Sequence, residues 1–198
     1  MTSPAPPLDA EQPSAALVRP VSLPDEVWTT IFEQLEFFDL RTVEMVCKHF
    51  QDLLKGHQLA SILFRAGPQE PIKEGQELNL HPLLGMVDCV GTESGNPGFA
   101  TLVLGRTIGN AYDFAAVDDL ATRPACIKIR INMANTDVGT VRCTTGATIR
   151  QILRKTIPFW LWQFDDCFEG HVWWNGWISA VGQQDGSVLL KSPGCFDS

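Results

Sequence analysis

The chain has 198 residues and a mass of 21.9 kDa, which fits one domain or two small ones and excludes a large multidomain enzyme. Hydrophobic residues make up 44% and charged residues 19%, so most of the chain can bury a core instead of remaining disordered. The formal net charge is −8 at pH 7, and we therefore expect no nucleic-acid partner, because a polyphosphate backbone would be repelled.

Membrane insertion and metal binding find little support in the residue pattern. No apolar stretch reaches the roughly 20 residues that cross a bilayer, so we expect no membrane partner. The six cysteines show no C-x-x-C spacing and no matching histidine pattern, so we expect neither a metal site nor a cofactor. The chain also has no signal-peptide pattern, which predicts free thiols in the cytoplasm or the nucleus.

Three regions follow from the pattern along the chain. Residues 1–21 hold five of the 13 prolines together with Ala and Ser, and they lack a periodic apolar face, which predicts a disordered tail. Residues 22–66, the helical module, show helical periodicity. Residues 67–198, the C-terminal domain, mix strand and helix patterns.

The helical module is predicted to contain three short helices. The first begins at Ser22 with a capping-box spacing, and the second begins at Asp39 as its N-cap. The third ends before Gly67 and Pro68. The apolar positions of the three helices are Val27, Trp28, Ile31, Phe32 and Leu35; Leu40, Val43, Val46, Cys47 and Phe50; and Leu53, Leu54, Leu59 and Ile62.

The apolar face of the first helix covers an arc of about 140°, which is wider than one partner helix needs. A unit of roughly 45 residues also seldom supplies a sufficient core by itself. Either the C-terminal domain covers the surplus face or a partner protein does, and the composition alone leaves both alternatives open.

The order of residues in the helical module resembles the F-box motif position by position. The matching residues are Leu23-Pro24-Asp25-Glu26-Val27, Ile31-Phe32, Leu35, Asp39-Leu40, Val46-Cys47-Lys48, Phe50 and Leu53. Three positions depart from the family pattern: Phe50 replaces its usual Trp, Trp28 replaces a common aliphatic residue, and His49 replaces a frequent Arg.

The resemblance implies that the helical module docks on the Skp adaptor of a cullin-RING ubiquitin ligase. It implies an adaptor-binding set of Leu23, Pro24, Val27, Ile31, Leu35, Leu40, Val46 and Cys47. Cys47 also fits a simple core thiol, because a buried cysteine behaves as a small hydrophobic residue.

The C-terminal domain is predicted to be a compact α+β domain with a mostly antiparallel sheet and one packed helix. Cys126–Met133 alternates strictly, with the isoleucines and the methionine on one face. Further strands are expected at Phe99–Leu104, Thr140–Thr144 and Ser187–Leu190. The helix is capped by Thr148 and stopped by Pro158, and its inward residues are Ile149, Ile152, Leu153 and Ile157.

Aromatic residues are crowded near the C-terminus, where Asn175-Gly176 between two apolar runs predicts a hairpin. In that hairpin Trp174 and Trp177 share a face, and we assign this face to the core. The other face carries His171, Trp173, Ile178 and Ala180. Trp173, beside His171, is therefore the candidate substrate-binding ring, since Trp is enriched in binding hot spots.

The sequence gives little support for catalysis. It has no G-x-S-x-G, P-loop, G-x-G-x-x-G or H-E-x-x-H motif. The spacing of Cys167 and His171 does not establish a nucleophile with its base, and the nearby carboxylates of Asp165, Asp166 and Glu169 fit a solvated loop. We therefore expect no enzyme and no catalytic residues.

The C-terminal domain has Leu80-His81-Pro82-Leu83-Leu84 early, Ala121-Thr122-Arg123-Pro124 before a strand, and Gly146-Ala147-Thr148-Ile149-Arg150-Gln151-Ile152-Leu153 at the start of a helix. This layout resembles an uncharacterised domain of F-box proteins from mushroom-forming fungi, which implies no activity of its own. Our main hypothesis is a substrate receptor of a Skp-cullin-F-box ubiquitin ligase that holds an unknown target protein in this domain. Two alternatives stay open, namely an adaptor-bound regulatory or scaffold protein outside a ligase, and a small enzyme with an appended docking module.

Overall fold

The structure is a computed structural model that describes residues 23–88, 101–104, 107–133, 135–164, 172–173, 176–192 and 196–197. The predicted tail at 1–21 lies outside these residues, and so do His171, Trp174 and the acidic loop at 165–169.

The helical module forms four short helices between residues 25 and 60, one more than predicted. They are α1 (Asp25–Phe32), α2 (Phe37–Glu44), α3 (Lys48–Leu54) and α4 (His57–Ala60). The predicted second helix is interrupted because the N–H groups of Met45 and Val46 bond three residues back and Cys47 is extended. The three-helix count was wrong for this reason.

Both predicted helix starts were also displaced. The N-cap of α1 is Pro24, whose carbonyl accepts hydrogen bonds from the N–H groups of Val27 and Trp28 at 3.0 and 3.2 Å. Helix α2 follows Glu36, so Asp39 lies in its first turn and is not its N-cap. Its carboxylate is stabilised there by the positive end of the helix dipole.

The C-terminal domain contains a six-stranded sheet with the order β5-β1-β9-β10-β6-β7. Its neighbouring strands are antiparallel except β10 and β6, which are parallel, so the predicted α+β class with a mostly antiparallel sheet is confirmed. Two smaller sheets have the orders β2-β3-β4 and β11-β8. The described strands are β1 (Glu77–Leu80), β2 (Val87–Asp88), β3 (Thr101–Leu104), β4 (Thr107–Asn110), β5 (Thr122–Arg123), β6 (Lys128–Met133), β7 (Thr136–Arg142), β8 (Val172–Trp173), β9 (Ser179–Gly182), β10 (Val188–Lys191) and β11 (Phe196–Asp197).

Helix α5 (Ile149–Phe164) begins with the predicted cap. The Thr148 N–H donates to Gln151 Oε1 at 3.1 Å, and the Gln151 N–H donates to Thr148 Oγ1 at 3.4 Å. Pro158 does not stop the helix, contrary to our prediction. Ile157 is only 3% exposed, and its burial outweighs the preference of a residue before proline for extended backbone.

The predicted aromatic hairpin does not form. Val172 pairs with Asp197 in β11, and Ser179 pairs with Lys191 in β10, so the two segments belong to different sheets. Trp177 is buried and Ile178 is 68% exposed, as expected for their faces. Ala180 was assigned to the outer face but is buried, because β9 is an interior strand whose Ala180 points to the core.

Residue Ile127 was also placed wrongly on the inner face. Strand β6 begins at Lys128, so Ile127 lies before the strand, and its side chain is 52% exposed. The alternation inside the strand is as predicted, since Ile129, Ile131 and Met133 are buried.

The helical module and the C-terminal domain share one hydrophobic core. Phe37, Leu59 and Leu63 of the module belong to the same buried cluster as Ile129 and Ile152 of the sheet and helix α5. The two regions therefore pack together, while Val27 and Ile31 on the apolar face of the first helix remain exposed.

Candidate protein-docking surface

Large apolar side chains remain at the surface of the helical module, although others are buried in the shared core. Val27 and Ile31 are each 41% exposed and lie one turn apart on α1. Phe38 is 36% exposed, Met45 78% and Val46 65%. We call these five residues the exposed apolar set.

Contacts between α1 and α3 hold the parts of this set on neighbouring elements. The Phe50 ring lies 4.8 Å from the Trp28 ring and 5.2 Å from the Phe32 ring, measured between centroids, so the two helices pack through aromatic residues. His49 Nε2 lies 3.3 Å from Asp25 Oδ1, which brings the start of α3 to the start of α1. Phe50, where the F-box pattern has Trp, therefore has a packing role.

The structure places the predicted adaptor-binding residues in three environments. Pro24, Val27, Ile31, Val46 and Cys47 are exposed, whereas Leu23 and Leu35 are half-buried. Leu40 is completely buried in the core. A side chain without accessible surface cannot contact a partner directly, so we reassign Leu40 from the docking set to the core that supports it.

Two members of the exposed apolar set, Phe38 and Met45, were missed in the sequence. Reading α2 and α3 as one continuous helix placed Met45 away from the apolar face. The break after Glu44 turns Met45 and Val46 outward together. Two consecutive apolar residues next to a helix end were the available signal.

The second notable feature is the junction between the module and the C-terminal domain, where His81 is fully buried. Its ring lies 4.4 Å from the Phe37 ring and 4.7 Å from the Phe64 ring, between centroids. The Leu83 N–H donates to His81 Nδ1 at 3.1 Å, which leaves the proton of the neutral ring on Nε2. Nε2 has no hydrogen-bond partner.

The Asp119 carboxylate lies at the centre of this junction, near two arginines and His81. It lies 3.6 Å from Arg41 Nη2, 3.8 Å from Arg65 Nε and 3.7 Å from His81 Nε2. The two arginines also pair with Glu44, at 2.7 and 3.2 Å. The network joins α2 to the C-terminal domain through charges that are largely withdrawn from water.

The surroundings of His81 disfavour its charged form. Burial lowers the pKa of the imidazole, and the nearby Arg41 lowers it further, while Asp119 opposes both effects. The ring is therefore neutral at neutral pH, with its pKa below the ordinary value of 6.5.

Phe64 holds an unusual backbone conformation beside His81. Its φ is +55°, a left-handed value that costs a bulky residue of the order of 1–3 kcal/mol. The conformation aims its carbonyl at the Leu120 N–H, which donates at 2.8 Å, while the ring stays buried. Burial and this hydrogen bond between the two regions offset the strain.

The described residues offer little for other kinds of site. They contain no group of three His, Cys, Asp or Glu side chains placed to hold a metal ion. In the same part of the chain, no helix is long and apolar enough to cross a membrane. The candidate Trp173 contributes backbone to β8, where it pairs with Phe196; the other candidate, His171, lies outside the described part.

Comparison with known families matches the F-box-like model to residues 21–65, the segment that contains the exposed apolar set. No curated protein and no solved structure matches the chain. The motif, the helices and the family match agree on this segment. Residues 21–65 therefore form an F-box-like domain, followed by a sheet-rich C-terminal domain.

Proposed function

We propose that this protein is a substrate receptor of a Skp-cullin-F-box ubiquitin ligase. In this proposal the F-box-like domain docks on the Skp adaptor, and the C-terminal domain holds a target protein. The observation that supports it best is the exposed apolar set, which lies within the residues that match the F-box-like model.

The charge of the module indicates the kind of contact that would form. Residues 22–66 contain seven Asp and Glu and four Lys and Arg, a net charge of −3. Burying Val27 or Ile31 is worth about 1.5–3 kcal/mol relative to full exposure. Because the anchors are apolar, we expect raised salt to weaken adaptor binding little.

The junction supports a fixed spacing between adaptor and target. The shared core and the Asp119 network join the F-box-like domain to the sheet, and a target on the C-terminal domain would be held in a defined orientation. We propose that the C-terminal domain acts by binding, without catalysis of its own, in the cytoplasm or the nucleus. Its resemblance to the fungal domain stays a prediction.

Affinity purification of the full chain with the Skp adaptor tests the docking. Ile31→Glu, and the double change of Leu23 and Pro24 to Ala, should each remove most adaptor binding. Gln58→Glu is the control, because it adds a carboxylate at an exposed position on α4. Undiminished binding by both docking variants, each with an unchanged melting temperature, would reject the proposal.

The ligase role needs a separate test. Cullin should copurify with the full chain and disappear with Ile31→Glu. A protein that binds the C-terminal domain should accumulate when the chain is removed from cells. An adaptor complex without cullin would instead support a regulatory or scaffold role outside a ligase.

A further inference from the structure

The solvent side of the six-stranded sheet carries a cluster of cations from three adjacent strands. Lys128 in β6 lies directly opposite Arg142 in β7, and Arg130 lies beside Leu189 in β10. Lys191 in β10 lies opposite Asn132. We call Lys128, Arg130, Arg142 and Lys191 the cationic sheet face.

The pleat of the strands explains why these four side chains share one side. Ile129 and Ile131, which alternate with Lys128 and Arg130, are fully buried, and so is Leu190, which precedes Lys191. Since successive side chains point to opposite faces, the cations lie on the face away from the core. Arg130, Arg142 and Lys191 are exposed.

The arrangement is costly for folding in a chain of net charge −8. Like charges directly opposite each other on neighbouring strands repel, and Lys128 and Arg142 hold such positions. Arg130 has Arg142 and Lys191 at its diagonal positions, about 7–8 Å away between backbones. Positive charge is thus concentrated on three adjacent strands of a chain whose net charge is negative.

Carboxylates of the chain satisfy only part of this charge. Asp185 pairs with Lys128, and Asp137 Oδ2 lies 3.8 Å from Arg130 Nη2. Lys128 and the Ser187 groups hold the pKa of Asp185 well below its usual value. Arg142 and Lys191 have no carboxylate within 4.0 Å in the described part of the chain. The face already pairs with two carboxylates of its own chain, and Arg142 and Lys191 are left for others.

Apolar surface adjoins the cations. Leu189 lies between Arg130 and Val181 in the order of the strands, on the same face, and both aliphatic residues are half-buried. A partner segment that places carboxylates over Arg130 and Arg142 would therefore bring its next side chains over Leu189 and Val181. This juxtaposition fits a peptide that combines acidic and apolar residues.

We propose that the cationic sheet face binds an acidic segment of the target protein, rich in Asp and Glu and carrying aliphatic residues. The inference deepens the proposed receptor function and rests on it for identifying the bound protein as the target. A short peptide meets only the local positive charge, whereas a long nucleic acid would also meet the field of the whole chain at −8.

The test uses the full chain and a fluorescein-labelled peptide of alternating Glu and Leu, followed by fluorescence anisotropy. The matched peptide replaces each Glu with Gln. We expect the acidic peptide to bind at least about tenfold more tightly, with an affinity that falls as salt rises. Adaptor binding, measured in parallel, should be insensitive to salt, so the failure of one proposal is distinguishable from the failure of the other.

Charge reversal on the sheet localises the binding. Arg130→Glu and Arg142→Glu should each weaken the acidic peptide about tenfold or more, and Arg130→Lys should retain most of the affinity. Arg154→Glu is the matched control, because Arg154 is exposed on α5, which packs against the inner side of the sheet. If the charge-reversed variants unfold, Arg130→Gln and Arg142→Gln remove the positive charge without adding a negative one. Each should still weaken binding of the acidic peptide.

Four results would overturn the proposal. The first is equal affinity for the Glu and Gln peptides, and the second is an equal loss of binding with Arg154→Glu. The third is tighter binding of a single-stranded oligonucleotide of the same charge, which would assign the face to nucleic acid. The fourth is salt-sensitive self-association of the chain without peptide, which would mean that the face binds a second copy of the chain and not a target protein.

Discussion

The Nε2 atom of His81 lies 3.7 Å from the Oδ2 atom of Asp119, within the junction that joins the F-box-like domain to the sheet. Neither atom has a hydrogen-bond partner. Protonation would make the His81 ring positive beside the Asp119 carboxylate and so change the electrostatic energy of this contact. The stability of the junction should therefore depend on pH.

We expect the chain to lose stability as the pH falls through about 6.5, the ordinary pKa of histidine. Because burial lowers the pKa of folded His81, the unfolded chain binds more protons in the window just below that value, and stability rises with pH there. One proton contributes a slope of at most about 1.4 kcal/mol per pH unit. Urea unfolding between pH 7.5 and 5.5 measures it.

The variant His81→Asn provides the comparison, since its amide oxygen can still accept from the Leu83 N–H. It should be less stable at pH 7.5, because the contacts with Phe37 and Phe64 are lost. Its slope between pH 7.5 and 5.5 should be smaller than that of the wild type. Equal slopes would mean that other groups determine the pH dependence.

Removing the charge of Asp119 should weaken the junction. Asp119→Asn leaves Arg41 and Arg65 with Glu44 alone, and we expect a loss of about 1–3 kcal/mol, since the Asp119 side chain is only 11% exposed. Asp52→Asn is the control, because its pairs with Lys48 and Lys55 are exposed and screened by solvent, so their loss should change stability little. Similar losses in both variants, measured by urea unfolding, would contradict a structural role for the junction.

The sequence predicted what depends on local pattern and missed what depends on distant partners. The alternation of Ile129 and Ile131 and the cap at Thr148 were correct, because neighbouring residues determine them. The exposure of Val27 and Ile31 agrees with a first-helix face wider than one partner helix needs, although the residue pattern left open what would cover that face.

The hairpin failed because Val172 pairs with Asp197, a choice made by a segment more than 20 residues away. The burial of Leu40 and the gathering of Arg41, Arg65 and His81 around Asp119 also depend on the packing of the module against the sheet. The same holds for the cationic sheet face, whose members become neighbours only through strand order. None of these has a signal within a window of a few residues.

Replacing Pro158 should stabilise helix α5. Proline lacks the N–H that would bond to the Arg154 carbonyl, and a proline inside a helix costs about 3 kcal/mol relative to alanine. Pro158 is exposed, so Pro158→Ala loses little packing and should gain about 1–3 kcal/mol. Arg154→Ala, also exposed on this helix, should change the free energy of unfolding by less than about 0.5 kcal/mol. A lower melting temperature for Pro158→Ala would show that the proline is needed where it stands.

Gly176, the residue before the buried Trp177, lies very close to the backbone of Leu84 and Gly85. Its φ is +64°, and a Cβ at this position would lie 2.2 Å from the carbonyl oxygen of Leu84. The Trp177 N–H donates to that same oxygen at 3.0 Å, so the two segments cannot separate without breaking the bond and exposing the indole.

Gly186 is the matched control for this position. Its φ is +72°, and a Cβ there would meet nothing within 4 Å. Gly186→Ala should therefore lose only the cost of a left-handed alanine, about 1–2 kcal/mol. Gly176→Ala carries the same conformational cost and adds a clash with backbone atoms, so its loss should exceed that of the control by about 2 kcal/mol or more. Urea unfolding of the two variants measures the difference, and equal losses would show that the approach of Gly176 to Leu84 is not required for folding.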